Sequence, residues 1–550
     1  MKSPSDFFRR ASAIAAGACA LALCVFPAQG AERHPDPDAQ QLFIGENIAV
    51  AQTAYGKVRG FVLRDIFCFR GIPYGADTGG ENRFMPPRPP EAWEGVRPAV
   101  AYGASAPQSY YDRRPESYSM FVDHWNYDLM GEDCLRLNVW TPALDDGKRR
   151  PVLVWLHGGG FARGNGIEQD SYDGENIARY GDIVFCSVNH RLNAFGFSDF
   201  ASVGGEKYRR SGNVGMLDIV AALQWVHDNI ANFGGDPTNV TIMGQSGGAS
   251  KVCLLAAMPA AKGLFHKAVA LSGDATRAND AAYAERLGET ILREAGLDAS
   301  RIDELQRMPW EAYMELAERA RQRMADEEPG YRTGFAPVAD DIDIPEGTFY
   351  TGRNLATGSD VPMLLCSTYH EWNPDRDNPE LEATTLDGVV RHLQPQYGDR
   401  TRRIVEAYAA AFPDRRPIEI WALIVSNRQG TIRTANAKCS QRSPVYVGWF
   451  GWESPLFDGR HRAFHCIDIS FWLLNTDRML THTGGGKAPR TLSKKMADAL
   501  LHFMRTGDPN CKALPAWPRY TPERGELMIL DTHCRRADDP DRSARAAFTD

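Results

Sequence analysis

The chain has 550 residues, of which 43% are hydrophobic and 24% charged, with a formal net charge of -8 at pH 7. This leaves ample material for a buried core, and the acidic balance excludes the basic footprint of a nucleic-acid binder. No solenoid-period repeat or low-complexity linker divides it, so residues 31–550 read as a single domain.

Lys2, Arg9 and Arg10 precede an apolar run from Ala11 to Phe26, which gives way to Pro27-Ala28-Gln29-Gly30-Ala31. A charged start, an apolar stretch short for a membrane span and a small-x-small end predict a signal peptide, residues 1–30, cut near Gly30. The expected location is secreted or periplasmic, with no stable membrane insertion. Arg9-Arg10 makes a poor twin-arginine signal, because Ala11-Ser12-Ala13 continues it badly. Of 11 cysteines, Cys19 and Cys24 fall in the leader. The rest are odd in number and too few for a disulfide scaffold, which leaves at least one free thiol. Cys186, Cys253 and Cys366 sit in apolar runs and read as small core residues, and no spacing matches a zinc site.

Apolar, β-branched runs over residues 151–156, 182–188, 240–243, 267–271, 361–366 and 445–450 predict strands. Between them, helical patterns cover 217–228, 250–258, 281–295, 305–324, 386–393, 401–411 and 492–506. The alternation predicts an α/β fold with a large sheet, mainly parallel at its centre and covered by helices on both faces. The helical stretch from about 280 to 440 is expected as insertions over the carboxyl edge, where α/β sheets form ligand sites.

The chemistry gathers at Gly244-Gln245-Ser246-Gly247-Gly248, directly after the apolar run Val240–Met243. This is the G-x-S-x-G pattern of a nucleophile on a tight strand-to-helix turn, where larger flanking side chains would collide. Upstream, His157-Gly158-Gly159-Gly160-Phe161 follows another strand, and consecutive bare N–H groups can converge on one oxygen. A second glycine run, Thr483-Gly484-Gly485-Gly486-Lys487, follows no strand and reads as plain loop. Neither run is a phosphate loop.

Several further segments, in order along the chain, resemble the type-B carboxylesterase family that includes the cholinesterases. They are Phe69-Arg70-Gly71-Ile72-Pro73-Tyr74, Glu132-Asp133-Cys134-Leu135-Arg136-Leu137-Asn138-Val139, Asn189-His190-Arg191-Leu192, Phe233-Gly234-Gly235-Asp236-Pro237 and Thr506-Gly507-Asp508-Pro509. The resemblance implies an α/β-hydrolase fold and a triad in the order Ser, acid, His. It implies Ser246 as nucleophile, Glu371 as acid, His465 as general base, and an oxyanion hole from the N–H groups of Gly159, Gly160 and Gly247. The family's glycine after the acid is replaced here by Trp372; Asp340 and Asp341 are the alternative acids, His461 the alternative base. Ser272 resembles a serine that hydrogen-bonds near the acid. Ala106 stands where the family's disulfide partner of Cys134 is expected, which makes Cys134 a candidate free thiol. Gln245 replaces a common glutamate, which removes a negative charge beside the nucleophile and eases the approach of anionic substrates.

The implied activity is hydrolysis of small-molecule carboxylic esters through an acyl-enzyme, without metal or organic cofactor. Arg163, just past the glycine run, is a candidate contact for carboxylate-bearing acyl groups such as polycarboxylate or phthalate-like esters; the expected substrates are carboxylic esters, bulky or carboxylate-bearing xenobiotic or natural-product esters among them. An acyltransferase or amidase would use the same three residues. A non-catalytic binding protein on this fold is the alternative of another class, and the presence of all three residues speaks against it.

Overall fold

Apolar runs form strands where the sequence predicts them, in a computed structural model that describes residues 40–109, 117–123, 126, 129–328 and 334–549. The predicted signal, residues 1–30, lies outside the described residues. In chain order the strands begin with β1 (Leu42–Phe43), β2 (Val50–Thr53), β3 (Gly56–Arg59), β4 (Phe61–Leu63), β5 (Ile66–Pro73), β6 (Val96–Pro98) and β7 (Arg136–Thr141). There follow β8 (Arg150–Leu156), β9 (Val184–Val188), β10 (Gly235–Gln245), β11 (Lys267–Leu271) and β12 (Met363–Thr368). The last are β13 (Val445–Phe450), β14 (Glu526–Leu530) and β15 (Arg535–Asp538).

Twelve strands form one sheet in the order β1-β4-β5-β7-β9-β8-β10-β11-β12-β13-β14-β15, and β2, β3 and β6 form a small second sheet. From β9 to β14 every neighbouring pair is parallel, whereas β1 to β7 and the last pair are antiparallel. The expectation of a parallel centre is met. Strands β9, β11, β12 and β13 are buried along their whole length, as strands covered by helices on both faces must be. The main core runs along this sheet. A satellite cluster with Phe84, Phe195, Phe200 and Tyr313 sits under the helices Ala281–Glu294 and Trp310–Glu327.

Two of the quoted sequence segments have a plain structural reason. Arg191 is fully buried and donates to Asp218 at 2.6 and 2.8 Å, and its third nitrogen donates to the Met85 carbonyl. Glu132 takes a two-pronged pair of bonds from buried Arg83, both 2.6 Å. Removing one partner of such a pair leaves an uncompensated buried charge.

All nine described cysteines are free thiols. Cys134 is fully buried and burial pushes its thiol far up; Cys186, Cys253 and Cys366 lie in the core as expected. No helix among the described residues is long and apolar enough to cross a membrane.

Candidate active site

The chain leaves β8 towards β9 on one side of the sheet and returns to β10 on the other, so a crevice opens where their carboxyl ends separate. Leu156, the last residue of β8, pairs with Gly244 of β10, which puts the glycine run 158–160 and Ser246 at the same level. Ser246 has φ 57° and ψ -123° and caps the helix Gly247–Ala257; its N–H donates to the Leu271 carbonyl at 2.8 Å. A non-glycine residue in that region of backbone space stores about 1–3 kcal/mol of strain, which the surrounding packing must hold. A Cβ on Gly248 would overlap the carbonyl oxygen of Leu156 and crowd that of His157, so the turn closes directly onto β8. Gly248→Ala is therefore expected to destabilise the fold by about 1–3 kcal/mol or more. An unchanged melting temperature would contradict this close approach.

Gly159 and Gly160 both have positive φ, 77° and 63°. The backbone of Gly160 lies against Gly247, where a Cβ would overlap the Gly160 carbonyl. Gly247 opens a helix, so its N–H has no partner within the helix. The three residues expected to offer oxyanion donors are thus brought together. Arg163 follows this loop, half-buried, and its backbone N–H donates to the Gly159 carbonyl at 3.2 Å. Burial pushes the nearby Glu168 carboxyl up to about 7, and the Arg163 charge opposes this only weakly.

Glu371 lies three residues past the end of β12, and its backbone carbonyl accepts the His465 N–H at 3.1 Å. Its Oε2 meets His465 Nδ1 at 2.5 Å, and its Oε1 accepts the Thr368 N–H at 2.9 Å. The carboxylate is fully buried and the imidazole 9% exposed. No hydrogen bond joins Ser246 Oγ to His465 among the described residues; such bonds often tighten only when substrate binds. The side-chain nitrogen of Gln245 sits 3.2 Å from Nε2 and 3.4 Å from Nδ1. Near-equal distances place the amide beside the ring, because an in-line bond to Nε2 would leave Nδ1 much further away. Gln245 Oε1 in turn accepts the Cys466 thiol at 3.4 Å.

Trp372 covers the imidazole, its ring centroid 4.1 Å from that of His465 at an interplanar angle of 32°, while 49% of it is exposed. This tryptophan and Gln245 are two of the departures from the family's wording, and both touch His465.

The alternative acids and the alternative base have other partners. Asp340 accepts the N–H groups of Ile342, Asp343 and Ile344 with one oxygen, a turn-forming role, and Asp341 pairs with Arg353. His461 is buried, stacks on Phe457 at 4.6 Å and is pushed down to about 4, mainly by burial. Ser272 Oγ is buried without a hydrogen-bond partner, so it gives Glu371 no bond.

In the sequence Asp468 serves only as the acidic residue that follows His465 ahead of an aromatic run, part of the resemblance that favours His465 over His461. It is fully buried, accepts the Trp472 indole N–H at 3.3 Å with one oxygen, and leaves the other unpartnered. Burial, and next the Glu371 charge, push its carboxyl up to about 7. The folded state therefore keeps a proton that the unfolded chain, with an ordinary carboxyl near 3.9, has already lost. The associated stability is present below about pH 4 and is lost as pH rises through about 7. Relative to wild type, Asp468→Asn should gain in melting temperature from pH 5 to pH 7 and hold a constant difference above; a difference that shrinks with pH would refute this.

Among the described residues, His370, Glu419 and Glu453 offer donor atoms within 4.8 Å of one another. Arg415 Nη1 already bridges the two carboxylates at 2.8 and 2.6 Å, so a guanidinium fills the place a metal ion would take.

A parallel sheet with a serine on the strained turn after a central strand, a glycine run at its neighbour's end, and a histidine bonded to a buried acid past later strands define an α/β-hydrolase. The sequence profile described as "Carboxylesterase family" matches residues 47–549. The chain belongs to that family and is a carboxylic-ester hydrolase. It is 33% identical over 507 residues to the para-nitrobenzyl esterase of Bacillus subtilis (strain 168), covering 90% of this chain and 97% of that protein. With the phenmedipham hydrolase of Pseudarthrobacter oxydans it shares 34% identity over 495 residues, 88% of this chain and 94% of that one. Among solved structures, an esterase from anaerobic Clostridium hathewayi that can hydrolyze aliphatic aromatic polyesters superposes with a TM-score of 0.79 at 32% identity, covering 93% of this chain and 99% of that one.

Proposed function

We propose that the protein hydrolyses carboxylic esters through an acyl-enzyme on Ser246, with His465 as general base and Glu371 as its orienting acid. The single observation that carries this reading is the 2.5 Å contact between His465 Nδ1 and a buried carboxylate whose other oxygen is fixed by a backbone N–H. Glu371 keeps the Nδ1 proton in place, so Nε2 is free to take the Ser246 proton as Oγ attacks the carbonyl carbon. The oxyanion then falls to the N–H groups of Gly159, Gly160 and Gly247, in the field of the helix N-terminus that begins at Gly247. His465 returns the proton to the leaving alcohol, and water repeats the cycle on the acyl-enzyme.

A fluorophosphonate probe tests the assignment. Peptide mass spectrometry should find the adduct on Ser246 and lose it in Ser246→Ala; an adduct elsewhere would sink the reading.

The finer substrate reading rests on Arg163 and on Gln245, a cation beside the glycine run and a neutral amide where an anion is common. Both favour acyl groups that carry a carboxylate. Arg163→Ala is expected to lower kcat/KM on a carboxylated ester about tenfold more than on its neutral counterpart, through the loss of one partly exposed charge contact. An equal loss on both esters removes the idea. The leader pattern Lys2–Ala31 supports export and a mature chain of residues 31–550; amino-terminal sequencing of the exported protein reads the cut directly.

A further inference from the structure

Lys251 is the sole charged residue of the helix Gly247–Ala257, five positions past Ser246, and it is fully buried. Its Nζ donates to the His157 backbone carbonyl at 3.0 Å and lies 5.8 Å from the centre of the Phe161 ring. Those two residues bracket Gly158-Gly159-Gly160. Burial drives the lysine down to about 7, opposed by the charge of Glu168. Glu168 is itself buried, accepts the Tyr172 hydroxyl at 3.1 Å and is pushed up to about 7 by burial. On the other side, the rings of His157 and His190 stack at 5.1 Å, both kept neutral by burial, with Lys251 adding to that effect.

A buried lysine with a single hydrogen-bond partner among the described residues is costly to the fold whenever it is charged. An apolar side chain of similar length would fill the same space without that cost. The glycine run, conversely, has every need of a fastener. It lacks side chains of its own, and two of its members hold positive φ; the N–H groups of Ala162 and Arg163 hold the Gly159 carbonyl, His157 Nδ1 lies 2.9 Å from the Gly158 carbonyl, and at the root of the run the His157 carbonyl accepts from Lys251.

We propose that Lys251 is a positioning residue of the oxyanion site, fastening the glycine run from behind through the His157 carbonyl and adding positive potential where the carbonyl oxygen gains charge. This rests on the serine-hydrolase reading above. Because the charge develops only in the transition state, the loss should fall on kcat and leave KM nearly unchanged.

The experiment compares wild type, Lys251→Met and Lys251→Gln in kcat, KM, melting temperature and affinity for a trifluoromethyl ketone, whose adduct with the serine carries an oxyanion. Lys251→Met should lower kcat by about 10–100-fold, below the hundred- to thousandfold typical of losing a direct donor. Ketone affinity should fall in parallel, and the melting temperature should stay level or rise. Lys251→Gln keeps a donor without the charge and should fall between the two. Full kcat in Lys251→Met overturns the proposal. So does a melting temperature lowered in both variants, which marks a structural lysine. A Ser246→Ala variant that kept its activity would instead overturn the underlying hydrolase reading.

Discussion

Ser246→Ala is expected to lower kcat/KM on a simple ester by on the order of ten-thousand- to a million-fold while leaving the melting temperature in place. The variant deletes only Oγ, which makes no hydrogen bond the fold depends on, so stability has little reason to change. Ser246→Gly sharpens the test. The residue sits at φ 57° and ψ -123°, a conformation that an L-residue holds under strain and glycine adopts freely. Relief of about 1–3 kcal/mol is partly offset by the extra freedom of an unfolded glycine, about 0.5–1 kcal/mol. The glycine variant should therefore be as inactive as the alanine variant and at least as stable. Equal activity in wild type and both variants would remove Ser246 from the chemistry. A glycine variant clearly less stable than the alanine variant would mean that the turn is not strained.

The strands at the centre of the sheet were legible because strands buried on both faces are written as unbroken apolar runs. The edges were not. Strand β15 is Arg535-Arg536-Ala537-Asp538, mostly exposed, and only its pairing with β14 makes it a strand. The predicted helix over 305–324 is in fact two, Glu304–Arg307 and Trp310–Glu327, because Pro309 forces the preceding residue into extended backbone. Strand β10 starts at Gly235 rather than 240; the Gly-Gly-Asp-Pro stretch reads as a stop but enters the sheet through a register shift. At the site, the serine and the glycine run carry local signals, since a tight turn and converging N–H groups demand small residues. Glu371 and His465 carry none that composition or spacing reveals, and only the family resemblance singled them out. Gln245, Trp372 and Asp468 act through contacts that fold together distant segments. Gln245 and Trp372 stand out in the sequence only as departures from the family pattern, and Lys251 only as the one charge in an otherwise uncharged helix.

Glu371→Gln should cost about ten-thousandfold in kcat with the fold intact, and the reason lies in which atom can donate. Thr368 N–H demands an acceptor at the Oε1 position, so the amide of the variant must turn its oxygen there. Its NH2 then faces His465 Nδ1 across the 2.5 Å contact. An amide NH2 can only donate, which forces Nδ1 to accept and moves the ring proton to Nε2. A histidine already protonated at Nε2 cannot take the serine proton, and the variant loses its base without losing its geometry. Asp468 supplies the control. It is a buried carboxyl close enough to feel the Glu371 charge, yet it bonds Trp472 and not the imidazole. Asp468→Asn should keep kcat within about tenfold of wild type, since it only removes a neighbouring charge. If instead Glu371→Gln stayed active and Asp468→Asn did not, the orienting acid would be Asp468, and the 2.5 Å contact would belong to the fold rather than to catalysis.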